Sequence, residues 1–315
     1  MGITAGERVG EIDDHPFESG VSGMNKFLAM GVATGALIMV GCSNSASASV
    51  SLDTHHNNQS GGQHEYDQDG DVSLIGSDLN ISGRIGGDLS LIGSDLSIQA
   101  DIGSDLSLVG SDIDFNGNVG GETSVAGSDV NWSGEASGDV DIAGSDVNWS
   151  GSSDGDVSIA GSDINIDGRV GEDLDIAGSD VLLSTDSVVG GDVSIAGSDI
   201  EMFGEIVGNA DLVGSSIEIT GAVQGRLLAT AFSRRGWSWS SDDTHQRIRL
   251  DASVGEGSAV CARRVVIGSN AGNAGSLAVF AEEVPVFEDG ASQLGVTFEE
   301  IGDRDCDDLL DPFDR

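Results

Sequence analysis

The chain has 315 residues, of which 48 are glycine, 3 are proline and 4% are aromatic. This glycine content without a Gly-X-Y period excludes collagen and indicates many tight turns. The 54 acidic and 13 basic residues give a formal net charge of −41 at pH 7. Because such a charge repels phosphates, nucleic acid is excluded as a partner.

The N-terminal region contains one apolar run. Residues 1–23 have none, and we interpret them as a short extension or as a misassigned start, with Met24 the true one. Residues 24–42 read MNKFLAMGVATGALIMVGC, in which Lys26 precedes an apolar stretch over 27–40. That stretch is shorter than the roughly 20 residues of a membrane span and is typical of an export signal.

The apolar run ends at a cysteine. The residues before Cys42 resemble the lipobox of bacterial lipoproteins, which implies acylation of Cys42. The sequence thus predicts an exported protein, lipid-anchored to the cell envelope at the outer membrane or the cell surface. The alternative is an ordinary secretory leader cleaved near Ala46 or Ala48.

Two further cysteines, Cys261 and Cys306, remain once Cys42 is assigned to lipid. An even pair in an oxidising compartment predicts a disulfide bond. Two free buried thiols are the alternative.

Residues 43–69 are rich in Ser, Asn, Gln and His. Their few apolar positions predict a flexible tether. The histidines His55, His56 and His64 raise the alternative of a metal site, but no nearby cysteine or turn would hold their geometry, so a solvated linker is preferred.

A repeat of 17 residues begins at Gly70. Nine units run to about residue 224, and each starts with a Gly-Asp-like pair, taken here as positions 1 and 2. Gly-Ser-Asp occupies positions 7–9, and the best-formed unit is GDVSIAGSDINIDGRVG, residues 155–171. A fixed period of this length is the signature of a solenoid.

Apolar residues recur within each unit at positions 3 and 5, 10 and 12, and 16. Each pair alternates with a polar residue, which is the period of a strand. Three short apolar sides separated by polar, glycine-containing corners predict an all-β, three-sided parallel β-helix with 17-residue coils.

Aromatic residues fill position 12 in three consecutive units, as Phe115, Trp132 and Trp149. We interpret them as stacked core residues, because the small Ala136 and Ser153 at position 16 leave room for the indoles. The alternative is an exposed strip that binds sugar rings.

Carboxylates recur at positions 2 and 9. Stacked about 5 Å apart, neighbouring like charges cost about 0.9 kcal/mol at the dielectric constant of water. We expect the carboxylates to offset this repulsion by capping backbone N–H groups at turns, with bound calcium as the alternative. The eight position-9 residues of this predicted turn or cation ladder are Asp78, Asp95, Asp112, Asp129, Asp146, Asp163, Asp180 and Asp199.

Residues 225–302 break the strict pattern but keep strand-like runs, which predicts degenerate coils and a cap. Residues 303–315 form an acidic tail that is expected to cover the open end of the stack. Seven of the 13 basic residues lie just after the repeat. Arg234, Arg235, Trp237 and Trp239 are the candidate interface for self-association, and local charge neutralisation is the alternative.

The chain contains no Gly-x-Ser-x-Gly elbow, phosphate loop or zinc-ligand spacing. Its carboxylates repeat along the whole repeat region instead of forming one cluster. We therefore expect a protein that is not an enzyme and has no cofactor, apart from the calcium alternative.

The units GRVGEDLDIAGSDVLL and GGDVSIAGSDIEMFGEIVGNADLVGSSIEITG resemble the bactofilin family of bacterial polymer-forming proteins. The resemblance covers about residues 70–224 and implies a right-handed β-helix that assembles end to end without nucleotide. Bactofilins are generally cytoplasmic, so the predicted export is a departure. The repeats are also similar to adhesin-like domains of bacterial surface proteins.

These features predict a structural, self-associating envelope lipoprotein. The alternative is a surface module that binds cations or polysaccharide.

Overall fold

The structure is a computed structural model, and it describes residues 62–231, 246–273 and 276–314. These residues belong to one compact unit. They form a parallel β-solenoid of about 13 turns, with 56% strand and 5% helix. The predicted fold class is confirmed. The leader, Cys42 and most of the predicted tether lie outside the described residues, as does the Arg234–Trp239 candidate interface.

The first face of the solenoid is a sheet of thirteen strands, made by positions 3–6 of each coil. Each strand pairs in parallel with the strand of the next coil. The strands are β2 (Val72–Ile75), β4 (Leu89–Ile92), β6 (Leu106–Val109), β9 (Thr123–Ala126), β12 (Val140–Ala143), β15 (Val157–Ala160), β18 (Leu174–Ala177), β21 (Val193–Ala196), β24 (Ala210–Val213), β26 (Leu227–Ala231), β28 (Ser258–Ala262), β30 (Leu277–Ala281) and β32 (Val296–Glu300).

The second and third faces form a second sheet of nineteen strands. In the first coils one strand covers both faces, as in β1 (Gly62–Gln68), β3 (Asp78–Ile85) and β5 (Asp95–Ile102). The second face continues with β7 (Asp112–Phe115), β10 (Asp129–Trp132), β13 (Asp146–Trp149), β16 (Asp163–Ile166), β19 (Asp180–Leu183), β22 (Asp199–Met202), β25 (Ser216–Ile219), β27 (Arg247–Leu250), β29 (Arg264–Ile267) and β31 (Val286–Phe287). The third face continues with β8 (Asn118–Val119), β11 (Glu135–Ala136), β14 (Ser152–Ser153), β17 (Arg169–Val170), β20 (Val188–Val189) and β23 (Glu205–Ile206).

Equivalent positions of the 17-residue repeat pair with one another in neighbouring strands. Position 5 of each coil stacks on position 5 of the next, so that Leu74, Leu91 and Leu108 belong to one interior column. The predicted apolar positions are buried in a single core that runs through all coils. Inward β-branched and leucine side chains fit this pleated interior because each packs against its equivalent one coil away.

Glycine is required at residue 151, where the fifth coil turns between the second and third faces. A Cβ on Gly151 would lie 2.1 Å from the carbonyl oxygen of Gly134 and 2.7 Å from the ring of Trp132. Both distances are shorter than a non-bonded contact allows. This corner therefore accepts only the residue without a side chain.

The degenerate coils predicted after residue 224 are present. Strands β26, β28, β30 and β32 extend the first face in register with the repeat. The solenoid therefore continues well beyond the regular units, although Gly-Ser-Asp no longer marks its corners.

Two boundaries differ from the sequence prediction. The last part of the predicted tether is strand β1, which pairs with β3 through all seven of its residues. The segment 303–315 does not cover the open end of the stack. Its described part contains helix α1 (Cys306–Leu310) and a 3₁₀ turn (Asp311–Phe313), and Leu309 and Leu310 pack with Ala259 on the outside of the first face. The segment lies there because its apolar side chains pack against apolar side chains on the outer side of the first face. It does not cover the exposed edge of the last strand.

We call residues 301–314 the C-terminal clasp. Cys261 and Cys306 form a disulfide bond that joins β28 to α1, as their pairing in the sequence predicted. Arg226 donates hydrogen bonds to the carbonyl oxygen of Phe313 and to Asp314. Among the described residues, no α-helix is long and apolar enough to cross a lipid bilayer.

Candidate functional site

The two series of carboxylates occupy different places on the solenoid. We call the position-2 series the corner ladder and the position-9 series the face ladder. In the corner ladder, a carboxylate accepts the backbone N–H of position 2 in the next coil. Asp71 Oδ1 accepts from Asp88 at 3.0 Å, and Asp173 Oδ1 accepts from Asp192 at 2.8 Å. Capping between coils therefore satisfies the seven aspartates of the corner ladder.

The face ladder lies at the start of the second-face strands, and its side chains point outward and are exposed. The structure records no backbone N–H bond to any of its eight carboxylates, so the turn-capping interpretation holds at position 2 and not at position 9. Within the ladder, Asp95 is hydrogen-bonded to Asp78 and to Asp112, and these bonds raise the pKa of Asp95.

Amide side chains lie beside part of the face ladder, at position 11. Asn131 donates to Asp114 at 2.9 Å, Asn148 donates to Asn131 at 3.0 Å, and Asn165 donates to Asn148 at 3.1 Å. Because an amide both donates and accepts, stacked asparagines satisfy one another where stacked carboxylates repel.

Replacing Asp95 with asparagine is expected to raise the urea midpoint at pH 7. The raised pKa of Asp95 means that its ionised form destabilises the fold, a cost that is absent below the ordinary Asp pKa and appears as pH rises through the folded-state pKa. The gain should therefore disappear in acid. The change Asp186→Asn removes the same charge from an exposed turn and is the control. Equal gains in both variants would show a net-charge effect instead.

No group of three or more His, Cys, Asp or Glu side chains within the described ranges is arranged to hold a metal ion. His64 lies in β1, 6.2 Å from the ring of Tyr66, while His55 and His56 lie outside those ranges. Calcium binding by the face ladder stays a prediction.

The three aromatic residues at position 12 are core residues. Phe115 and Trp132 stack with ring centroids 4.3 Å apart, and Trp132 and Trp149 stack at 5.5 Å with an interplanar angle of 2°. Their side chains are 1–2% exposed. The core interpretation is confirmed, and the alternative of an exposed strip that binds sugar rings is wrong.

The described arginines of the basic region mostly pair within the chain. Arg249 contacts Glu218 and Glu288, each at 3.0 Å, and the hydrogen bond to Glu288 is the main cause of its raised pKa. Arg264 pairs with Glu283 at 3.1 Å. These pairs support the local-neutralisation alternative.

The face-ladder column changes sign along the stack. Asp199 pairs in register with Ser216, which pairs with Arg247, which pairs with Arg264. The column thus begins with eight aspartates and carries two arginines later in the stack, before β31 adds one further coil. Sequence reasoning counted this charge asymmetry but did not place both signs in one column, because the step from Ser216 to Arg247 interrupts the 17-residue spacing.

Among the described residues the stack ends in open strands, because β2 pairs only with β4 and β32 only with β30. Leu74 and Phe298 are the two ends of the interior position-5 column, and both are incompletely covered, with Phe298 42% exposed. Sequence reasoning missed Phe298, because no Gly-Ser-Asp marker shows the register of the last coil.

The fold and these surfaces define the chain as a three-sided parallel β-solenoid with acidic outer ladders. No protein-family model matches the chain, and neither a curated protein nor a solved structure matches it.

Proposed function

We propose that this protein is a structural, self-associating lipoprotein of the cell envelope, whose solenoids stack end to end. The observation that carries the proposal is the pair of open ends, which are complementary in strand order and in the core column.

The order of strands at the C-terminal end of one copy would continue into the N-terminal end of the next copy. At the N-terminal end the second-face strand β1 precedes the first-face strand β2, and at the C-terminal end β31 precedes β32. A second copy placed beyond β32 would therefore add its β1 next to β31 and its β2 next to β32. An exposed parallel edge is a template for such pairing with another chain.

The core column also continues across this junction. Phe298 of one copy would cover Leu74 of the next, since both occupy position 5. Burying a large apolar side chain contributes roughly 1.5–3 kcal/mol. The junction would thus add apolar burial to the new backbone hydrogen bonds.

The strand order selects a head-to-tail orientation, because the edge formed by β1 and β2 in one copy meets the edge formed by β31 and β32 in the next. A heterologous contact of this kind produces open filaments rather than closed dimers.

The envelope part of the proposal rests on the sequence. The apolar run over 27–40 and the lipobox-like residues before Cys42 support export and a lipid anchor. The resemblance to bactofilins supports polymer formation. The repetition of carboxylates along this chain, without a single cluster, supports a non-enzymatic role.

Electron microscopy and sedimentation of the full chain test the assembly. Filaments with an axial repeat of about 60 Å are expected, from about 13 coils spaced about 4.8 Å apart. Replacing Phe298 with aspartate should abolish them by placing an unpaired charge in the junction. The matched control is Val213→Asp, at an exposed outward position in mid-stack. Stable monomers at high concentration, or equal filaments in both variants, would refute end-to-end stacking.

A further inference from the structure

We propose that a polar groove on coils 2–4, at the corner between the second and third faces, binds an uncharged polysaccharide chain. This inference goes beyond the structural role and does not depend on filament formation. It also differs from the exposed Trp strip that the sequence suggested, because those rings are buried.

The groove has a volume of about 540 Å³, within the roughly 300–1,000 Å³ usual for ligand sites. Position 14 of each coil forms its floor and is glycine or alanine. Positions 13 and 15 form its walls. The wall residues are Gln99, Asp101, Asn116, Asn118, Ser133 and Glu135.

The walls combine both kinds of hydrogen-bonding group. The amides each carry a carbonyl acceptor and two N–H donors, and the carboxylates accept only. Asn118 donates to Asp101 at 2.6 Å, which orients both side chains across neighbouring coils. No hydrogen bond joins the side chain of Gln99 or Asn116 to another described residue. Their donors and acceptors are therefore available to a ligand.

The walls are a local feature and not part of the repeat rule. Positions 2 and 9 carry carboxylates along most of the solenoid, whereas amides occur at positions 13 and 15 only in coils 2 and 3 of the regular repeat, as Gln99, Asn116 and Asn118. In coil 5 these positions are Ser150 and Ser152, and the groove does not extend to them. A coil-building requirement would have placed the same residues in every unit.

The chemistry selects a hydroxyl-rich, uncharged polymer. The net charge of −41 repels anionic chains. A cation would find more closely spaced carboxylates on the face ladder than in a groove that is half amide. Hydroxyl groups both donate and accept, as the walls require. A chain laid along the solenoid axis would meet equivalent wall positions about every 4.8 Å.

Isothermal titration calorimetry of the full chain tests this site, with chitohexaose, cellohexaose and dextran as probes. At least one probe should bind, and the double change Asn116→Ala with Asn118→Ala should weaken binding roughly tenfold, since each lost hydrogen bond accounts for a few-fold. The control is Asn165→Ala, which removes the same amide from the second face and should leave affinity within about twofold.

Three results would overturn the proposal: no binding of any probe, equal binding by the groove variant, or loss of binding in the Asn165 control alone. Filament formation by the groove variant should be unchanged. This test is independent of the stacking experiment, because Phe298 lies far along the chain from the groove.

Discussion

Replacing Trp132 with alanine is expected to lower the free energy of unfolding by about 3–5 kcal/mol. The indole is 1% exposed and lies between the rings of Phe115 and Trp149. Its removal leaves a cavity that the solenoid cannot close, because the backbone of each coil is hydrogen-bonded to the coils on both sides. The Trp132 Nε1 hydrogen bond to the carbonyl of Gly134, 3.1 Å long, is lost as well.

Urea unfolding followed by far-UV circular dichroism measures this effect. The matched control is Ser124→Ala, at an exposed outward position of the same coil, which should change stability by no more than about 0.5 kcal/mol. A loss below about 1 kcal/mol for Trp132→Ala would contradict the stacked core. Trp132→Phe should cost less than Trp132→Ala, because a ring can still stack on both neighbours.

Removing the disulfide by the double change Cys261→Ala with Cys306→Ala is expected to destabilise the C-terminal clasp by a few kcal/mol, since removing a native disulfide typically costs about 2–5 kcal/mol. Loss of the clasp would expose Phe280 and Leu228, which it buries on the outer face. Faster proteolysis between residues 301 and 306 and increased binding of an apolar dye should report the opening.

Reductant provides the internal control for this experiment. It should open the clasp of the wild-type chain and have no further effect on the double alanine variant. The clasp lies on the outer face and not within the stacked coils, so opening is expected to be local and the regular coils should keep their unfolding midpoint. An unchanged proteolysis rate in the variant would show that the apolar contacts and the Arg226 bonds hold the clasp without the disulfide.

The regular coils were predictable because the repeat carries its own register. Position 5 and position 12 residues such as Ile159 and Ile166 recur every 17 residues, and one coil length leaves only one way to stack them. The assignment of Phe115, Trp132 and Trp149 to the core followed from the same column logic. The sequence also predicted that the small Ser153 lies beside the indoles.

The corner and face ladders were not distinguishable in this way. Both are acidic and both belong to corners that contain glycine, so the sequence predicted one remedy for both. Whether a carboxylate reaches a backbone N–H depends on the direction of its Cα–Cβ bond relative to the next coil. Asp88 points along a corner toward Asp105, and Asp95 points away from the sheet.

The polar groove depends on tertiary structure for the same reason. Gln99, Asn116 and Ser133 look like ordinary polar corner residues in the sequence. They form one wall only because coils about 4.8 Å apart align position 13.

The sequence by itself determined the all-β solenoid, its coil length and its core columns, because a strict period leaves one register. It also predicted the pairing of Cys261 with Cys306, because they are the even pair left once Cys42 is assigned to lipid. Only the tertiary structure decided where the chain's irregular parts lie. The clasp lies on the outer face because Cys261 and Phe280 present buried apolar surface there. That placement leaves Phe298 and the last strand exposed, and with them the end of the stack on which assembly is proposed to depend.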